Sequence, residues 1–233
     1  VSASVSSAEV GTLAGYADGW ITRVNADGVV TGSTDPYAGG LVGYNDSLIT
    51  NSSAAVTVND TDTTSGYAGG LTGYNDGTIR SSSASGIVRG QGDSEIGGLT
   101  GENDYIINNS FATGKVTGTN VFSGEAGGLV GYNTEGTISN SYATGDVTAL
   151  SSGEGYVGGL AGESYYASIA NSYATGNVTG TDINSIGGLV GYDEDDGAIS
   201  HSYATGDVVD NYVSSTGASV GGLVGYDYMD TYG

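Results

Sequence analysis

The sequence predicts an all-β fold, a right-handed parallel β-helix of about 28–34 residues per coil with three short strands in each, on three observations. The segment Gly127-Gly128-Leu129-Val130-Gly131-Tyr132-Asn133 returns almost unchanged, with its leucine at Leu13, Leu41, Leu71, Leu99, Leu129, Leu160, Leu189 and Leu223. The spacings are 28, 30, 28, 30, 31, 29 and 34, so the 233 residues hold eight starts and seven full units. A second block, Ile138 to Thr148, returns at Ile107, Ile169 and Ile199, and more loosely at Ile21, Ile49 and Ile79. No window carries apolar residues at helical spacing. A unit of about 30 residues cannot bury its own apolar face, whereas stacked copies can.

Each element follows from this unit. Gly-Gly-Leu-Val-Gly-Tyr reads as the first strand, Ile-x-Asn-Ser-Tyr-Ala-Thr as the second and x-Val-Thr as the third. Asn75 to Gly77 and the glycine after Thr144 supply turn chemistry between them. Length changes fall in the stretch before each Gly-Gly-Leu, such as Thr119 to Ala126 or Asp210 to Val220, which marks a surface loop. With strands about 4.8 Å apart, eight coils give a rod on the order of 38 Å long. Right-handedness rests on the general preference of parallel β connections. Residues 1–233 read as one array whose last coil stops after one strand. The uncapped ends imply either a longer array or stacking on partner molecules.

Composition narrows the function. Four Lys+Arg against 26 Asp+Glu give a net charge of −22, which repels nucleic-acid phosphates and anionic membranes. No stretch reaches the roughly 20 apolar residues of a membrane span. Zero cysteines exclude disulfides and thiolate metal sites. His201 is the one histidine, too little for a multi-histidine site. The chain starts at Val1 without a signal-peptide pattern, so a leader is absent or removed. Abundant Ser, Thr, Gly, Asn and Tyr with one lysine points to an extracellular or cell-surface, non-catalytic repeat protein. The acid excess also suits high salt.

The repeated Gly128-Leu129-Val130-Gly131 core resembles the GLUG motif, and the resemblance runs from about Gly11 to Tyr226. Gly11-Thr12-Leu13-Ala14-Gly15 departs from it by lacking the second glycine. The resemblance implies a stalk or spacer module of the kind found in large secreted or surface bacterial proteins, including haemagglutinin-like adhesins. It supplies no catalytic residue to carry over.

Substitution among the coils separates inside from outside. Leu129 and Ile138 have aliphatic equivalents in every unit and are expected in the core. Ser141 and Ala143 are nearly invariant among the units, which suggests a tight inner wall. The column of Tyr44, Tyr74, Tyr132, Tyr192 and Tyr226 admits Glu102 and Glu163. A buried unpaired carboxylate is costly, so this column is expected on the outer surface. Tyr142, Tyr173 and Tyr203 with Phe111 form a second outer column.

Several features are weighed for function. The tyrosine columns offer an aromatic and hydroxyl surface for sugars or a neighbouring rod, or simply stabilise the stack. Asn51, Asn109, Asn140 and Asn171 suggest an amide ladder, with His201 as a variant of it. Asp60 and Asp62, and Asp193 to Asp196 with Asp193, Asp195 and Asp196, are weak Ca²⁺ candidates without EF-hand spacing. No other cofactor is expected. Thr113, Thr144, Thr175 and Thr205 form one threonine column and Thr117, Thr148 and Thr179 another, across a Gly turn. They raise ice binding as an alternative. Glu102 and Glu163 stand in non-adjacent coils, roughly 10 Å apart at two strand spacings, a distance that allows hydrolysis, but the repeat character of both positions and the lack of a Lys/Arg cluster argue against it. Asn45, Asn51, Asn59, Asn108 and Asn177 match the glycosylation pattern, as chance allows in such a composition. The reading is a rigid stalk or adhesin segment. Its expected partners are flanking domains, glycans or a host surface, and the alternative is a subunit stacking on other copies of itself into a fibre.

Overall fold

The computed structural model describes residues 1, 7–120, 124–151, 155–194, 197–211 and 217–228, and among these the regular elements are all strands. They stack in parallel, in register, into a β-solenoid of about seven turns. Coils are numbered here by their leucines, so that coil 1 holds Leu13 and coil 5 holds Leu129. In coil 5 the chain passes through Glu125–Gly127, Val130–Thr134, Thr137–Ser139, Tyr142–Ala143 and Val147–Leu150. These belong in turn to a first, second, third and fourth sheet, the last two both lying in the fourth. The expected three strands are thus five. The Gly-Gly-Leu segment is a corner rather than a strand centre, and Asn140-Ser141 breaks the second predicted strand.

The repeated residues explain the corners. A Cβ on Gly127 would lie 1.8 Å from the Val130 carbonyl oxygen, so the turn into the second sheet closes only around glycine. A Cβ on Gly128 would lie 2.1 Å from the Gly159 carbonyl oxygen one coil on and 3.0 Å from Ala143 Cβ across the interior. The invariant alanine is therefore the partner of the second glycine. Along the same corner each leucine N–H donates to the leucine carbonyl of the next coil, at 2.8 Å from Leu41 onward.

Leu129 and Ile138 and their equivalents in coils 2 to 6 are fully buried, as is Leu189 of coil 7. Each such side chain contributes about 1.5–3 kcal/mol by leaving water. The serine column is buried too, and it is also a hydrogen-bonded ladder. Ser141 Oγ donates to the Ser139 carbonyl at 2.8 Å and accepts from the Ser110 N–H at 3.1 Å, and the pattern repeats from Ser52 to Ser172. Buried hydroxyls are tolerated because both functions are met.

The asparagine expectation changes. Asn51, Asn109, Asn140, Asn171 and His201 share a left-handed backbone, with φ of 53°, 50°, 50°, 50° and 49°. Their column is selected for that turn, which asparagine and histidine adopt more readily than most residues. The amide ladder lies instead at Asn45, Asn75, Asn103 and Asn133, buried behind the tyrosines. Each Nδ2 donates to the next Oδ1 at 2.7 Å.

Candidate functional site

The outer surface of the rod has two patterned regions. One is the concave corner where the first and second sheets meet. Outward residues of both sheets share this corner, and each column covers the other. The first sheet contributes Tyr37, Tyr67, Glu95, Glu125, Tyr156, Ser185 and Ser219. The second contributes Tyr16, Tyr44, Tyr74, Glu102, Tyr132, Glu163, Tyr192 and Tyr226.

In coils 2 and 3 the corner is aromatic. Tyr37 stacks on Tyr67 and Tyr44 on Tyr74, both at 4.9 Å, and Tyr67 meets Tyr74 edge-on at 5.4 Å. The second-sheet tyrosines of coils 1 to 3 each donate the hydroxyl to an aspartate one coil on. Tyr16 reaches Asp46 at 2.7 Å, Tyr44 reaches Asp76 at 3.4 Å, and Tyr74 bonds Asp104. Burial, with Asp76 beside it, pushes the Tyr44 hydroxyl up to about 12.

In coils 4 to 6 the same corner holds carboxylates, and here the sequence expectation fails. Glu102 and Glu163 are only 8% and 9% exposed, and Glu125 only 8%. They do not stand in water, because the neighbouring column closes over them. That column was hidden in the sequence, since Tyr37, Tyr67, Glu95, Glu125 and Tyr156 lie in or beside the stretches of variable length. Glu125 bonds Glu163, and Glu102 bonds Asp104. Burial foremost, then the neighbouring carboxylates, raises Glu95, Glu102, Glu125 and Glu163 well above the usual carboxylate range. Tyr132 sits half-buried between the two glutamates of its column. Glu102 and Glu163 thus stand in non-adjacent coils as expected, but covered rather than open to a substrate.

The second region is the outer face of the fourth sheet. Phe111, Tyr142, Tyr173 and Tyr203 stack at 4.8–5.0 Å with interplanar angles of 0–5°. Their ring faces cover one another along the stack. Thr113, Thr144, Thr175 and Thr205 are exposed beside them. Thr117, Thr148 and Thr179 face the same way, with Ala143 and Val147 buried beneath. Both threonine columns therefore lie on one face, and the turn expected at Gly145 does not separate them. In coils 1 and 2 that face is built on the unbroken strands Asn25–Gly32 and Ser53–Asp60.

The acidic candidates are occupied or dispersed. Asp60 accepts from the Asp62 N–H at 2.9 Å and from Ser94 Oγ at 2.7 Å, and burial raises it to about 7. Asp62 accepts from Asp35 and Thr64 backbone N–H groups and from Thr64 Oγ1. Asp193 is buried beyond the asparagine column, beside Ser164, with no close hydrogen bond to its Oδ1 or to Ser164 Oγ. Asp195 and Asp196 lie outside the described residues. Among the described residues, no three His, Asp or Glu side chains stand together so as to hold a metal ion.

Four segments, residues 35–59, 123–148, 153–179 and 183–209, match the model of the GLUG motif. They fall on coils 2, 5, 6 and 7, and coils 3 and 4 continue the same register between them. No curated protein matches the chain. The leucine corner, the serine ladder and the alanine wall are what the matched motif builds, and these four coils are GLUG-motif repeats.

Proposed function

We propose that the chain is a non-catalytic, extracellular structural module, a rigid stalk or adhesive segment of a surface protein. The observation that supports this reading best is the continuity of its ladders. Leucine backbone, serine hydroxyl, asparagine amide and tyrosine ring each bond or stack from coil to coil along the rod. Such ladders couple every coil to its neighbours and give stiffness rather than a mobile active site. The fourth sheet supplies the contact surface. Coils 5 and 6 repeat Tyr, Thr, Asp or Asn, and Thr, and coils 4 and 7 keep the aromatic and the first Thr, an arrangement suited to weak multivalent contact with a glycan or host surface.

Negative-stain imaging across a range of concentrations tests the reading. Isolated short rods of constant length are expected. Filaments that lengthen with concentration would replace it with a subunit that stacks end to end.

A further inference from the structure

We propose that the corner of coils 4 to 6 is a proton-loaded seam, in which Glu95, Glu102, Glu125 and Glu163 are held as neutral acids, with Glu125 bonded to Glu163 and Glu102 to Asp104, so that the rod is built for acidic surroundings and its middle loosens as they turn alkaline.

The geometry carries the argument. Register sets Glu95 beside Glu125 in adjacent strands of the first sheet, since Ile96 pairs with Ala126. Glu102 and Glu163 flank Tyr132 in the second sheet, one coil below it and one above. Coils are about 4.8 Å apart, so four carboxyls occupy three successive coils of one corner, with Glu102, Glu125 and Glu163 buried and Glu95 half-buried. Two carboxylates this close and this dry do not both ionise without a cation between them. No cation is placed there. Arg23 and Asn51 share the turn after the third sheet, Arg80 ends the third-sheet strand Thr78–Arg80, and Arg89 and Lys115 belong to the fourth sheet or its approach. His201 is in the same turn column as Arg23. The Val1 ammonium bonds the Val29 carbonyl on the fourth sheet.

The other titratable groups facing the seam are acids and phenols. Asp104 follows Glu102 and takes the Tyr74 hydroxyl. Asp93 and Asp60 lie toward Glu95, and Glu194 lies beyond Glu163. Asp76 and Glu135 lie toward Asp104. Tyr67, Tyr74, Tyr132 and Tyr192 line it, each with its hydroxyl raised by burial and by these acids. All four glutamates shift the same way, upward, with burial as the main cause.

The sign follows. Acids raised in the folded state bind more protons there than in the unfolded chain. Their contribution is full below the unfolded glutamate value of about 4.3 and is lost as pH rises through the folded values. Net charge also grows with pH, so the test is run in about 1 M salt, which screens exposed charges. The melting temperature is measured across that range for the natural chain and for Glu102→Gln/Glu125→Gln, whose amides mimic neutral acids. A fall on the order of 10 °C from about pH 5 to pH 9 is expected for the natural chain, and a clearly smaller one for the variant. The infrared carbonyl band of protonated carboxylic acid should persist at about pH 6 in the natural chain and weaken in the variant. A flat or rising melting curve overturns the proposal, as does a variant that keeps the full slope. Absence of the infrared band overturns it even if the variant fails to fold.

Discussion

Coils 2 and 3 and coils 4 to 6 fill the same outer corner with opposite chemistry. In the first region phenol rings stack in two crossed files and send their hydroxyls to aspartates. In the second, glutamates take four of the six corresponding positions beside Tyr132 and Tyr156, with Glu102, Glu125 and Glu163 buried and Glu95 half-buried. The backbone beneath is the same, with the glycine corner, leucine ladder and alanine wall unchanged. Inner residues set the fold and outer residues set the charge environment, and the two vary independently. A β-solenoid can therefore store buried acid on a surface column without disturbing its core.

The largest expected effect tests the shared part. Gly70→Ala in coil 3 would set a Cβ 2.2 Å from the Gly98 carbonyl oxygen and 2.8 Å from Ala84 Cβ. Gly159→Ala in coil 6 would meet the Gly188 oxygen at 2.1 Å and Ala174 Cβ at 2.9 Å. Each should destabilise by about 3 kcal/mol in urea unfolding. The two costs should agree at any pH. A large difference between them would show that the carboxylate region has a looser core, and would break the separation of inside from outside.

A smaller effect tests the part that differs. Glu102→Tyr extends the Tyr16, Tyr44, Tyr74 file toward Tyr132 and removes one buried acid. Stacking alone is worth about 0.5–1.5 kcal/mol. The variant should be more stable than the natural chain at alkaline pH, where the glutamate is called on to ionise. At acidic pH the gain should shrink. Denaturant midpoints at the two pH values check both signs.

The inner wall was legible in the sequence, and the carboxylate seam was not. Leu129, Ile138, Ser141 and Ala143 recur at fixed offsets, and the invariance of small residues betrayed a tight interior. Tyr132 and its equivalents were correctly placed on the outside of the backbone. Reading Glu102 and Glu163 as wet was the error, because exposure depends on what stands across the corner. Glu95 and Glu125 come from the stretch just before Gly-Gly-Leu, where varying loop length hides the column. Counting backward from each glycine pair would have aligned Tyr37, Tyr67, Glu95, Glu125 and Tyr156. The αL column shows the same limit. Asn140 and its equivalents were visible as a repeat, but only φ reveals that a turn, not an amide ladder, selects them.

The smallest expected effect concerns the ladder behind the corner. Asn45, Asn75, Asn103 and Asn133 pass hydrogen bonds upward through coils 2 to 5, and the chain of amides ends at Ser164. Serine is too short to continue it, so Ser164 Oγ makes only a loose contact with the Asp193 carboxylate and neither Ser164 Oγ nor Asp193 Oδ1 has a close hydrogen bond. Burial raises the Asp193 carboxyl, and the Ser164 hydroxyl beside it offsets part of the rise. Ser164→Asn would restore the series, with its Oδ1 accepting from Asn133 and its Nδ2 donating to Asp193. A hydrogen bond to a charged acceptor is worth about 1.5–3 kcal/mol at best, and ordering the longer side chain offsets part of it. A net gain of about 1 kcal/mol is expected above the Asp193 titration, falling as that carboxyl is protonated at low pH. The natural chain loses stability with rising pH through its glutamates, so this substitution should act in the opposite sense and flatten the same melting curve. A loss of stability instead would mean that the gap at Ser164 is filled, and that the two halves of the rod are joined there by something other than the amide ladder.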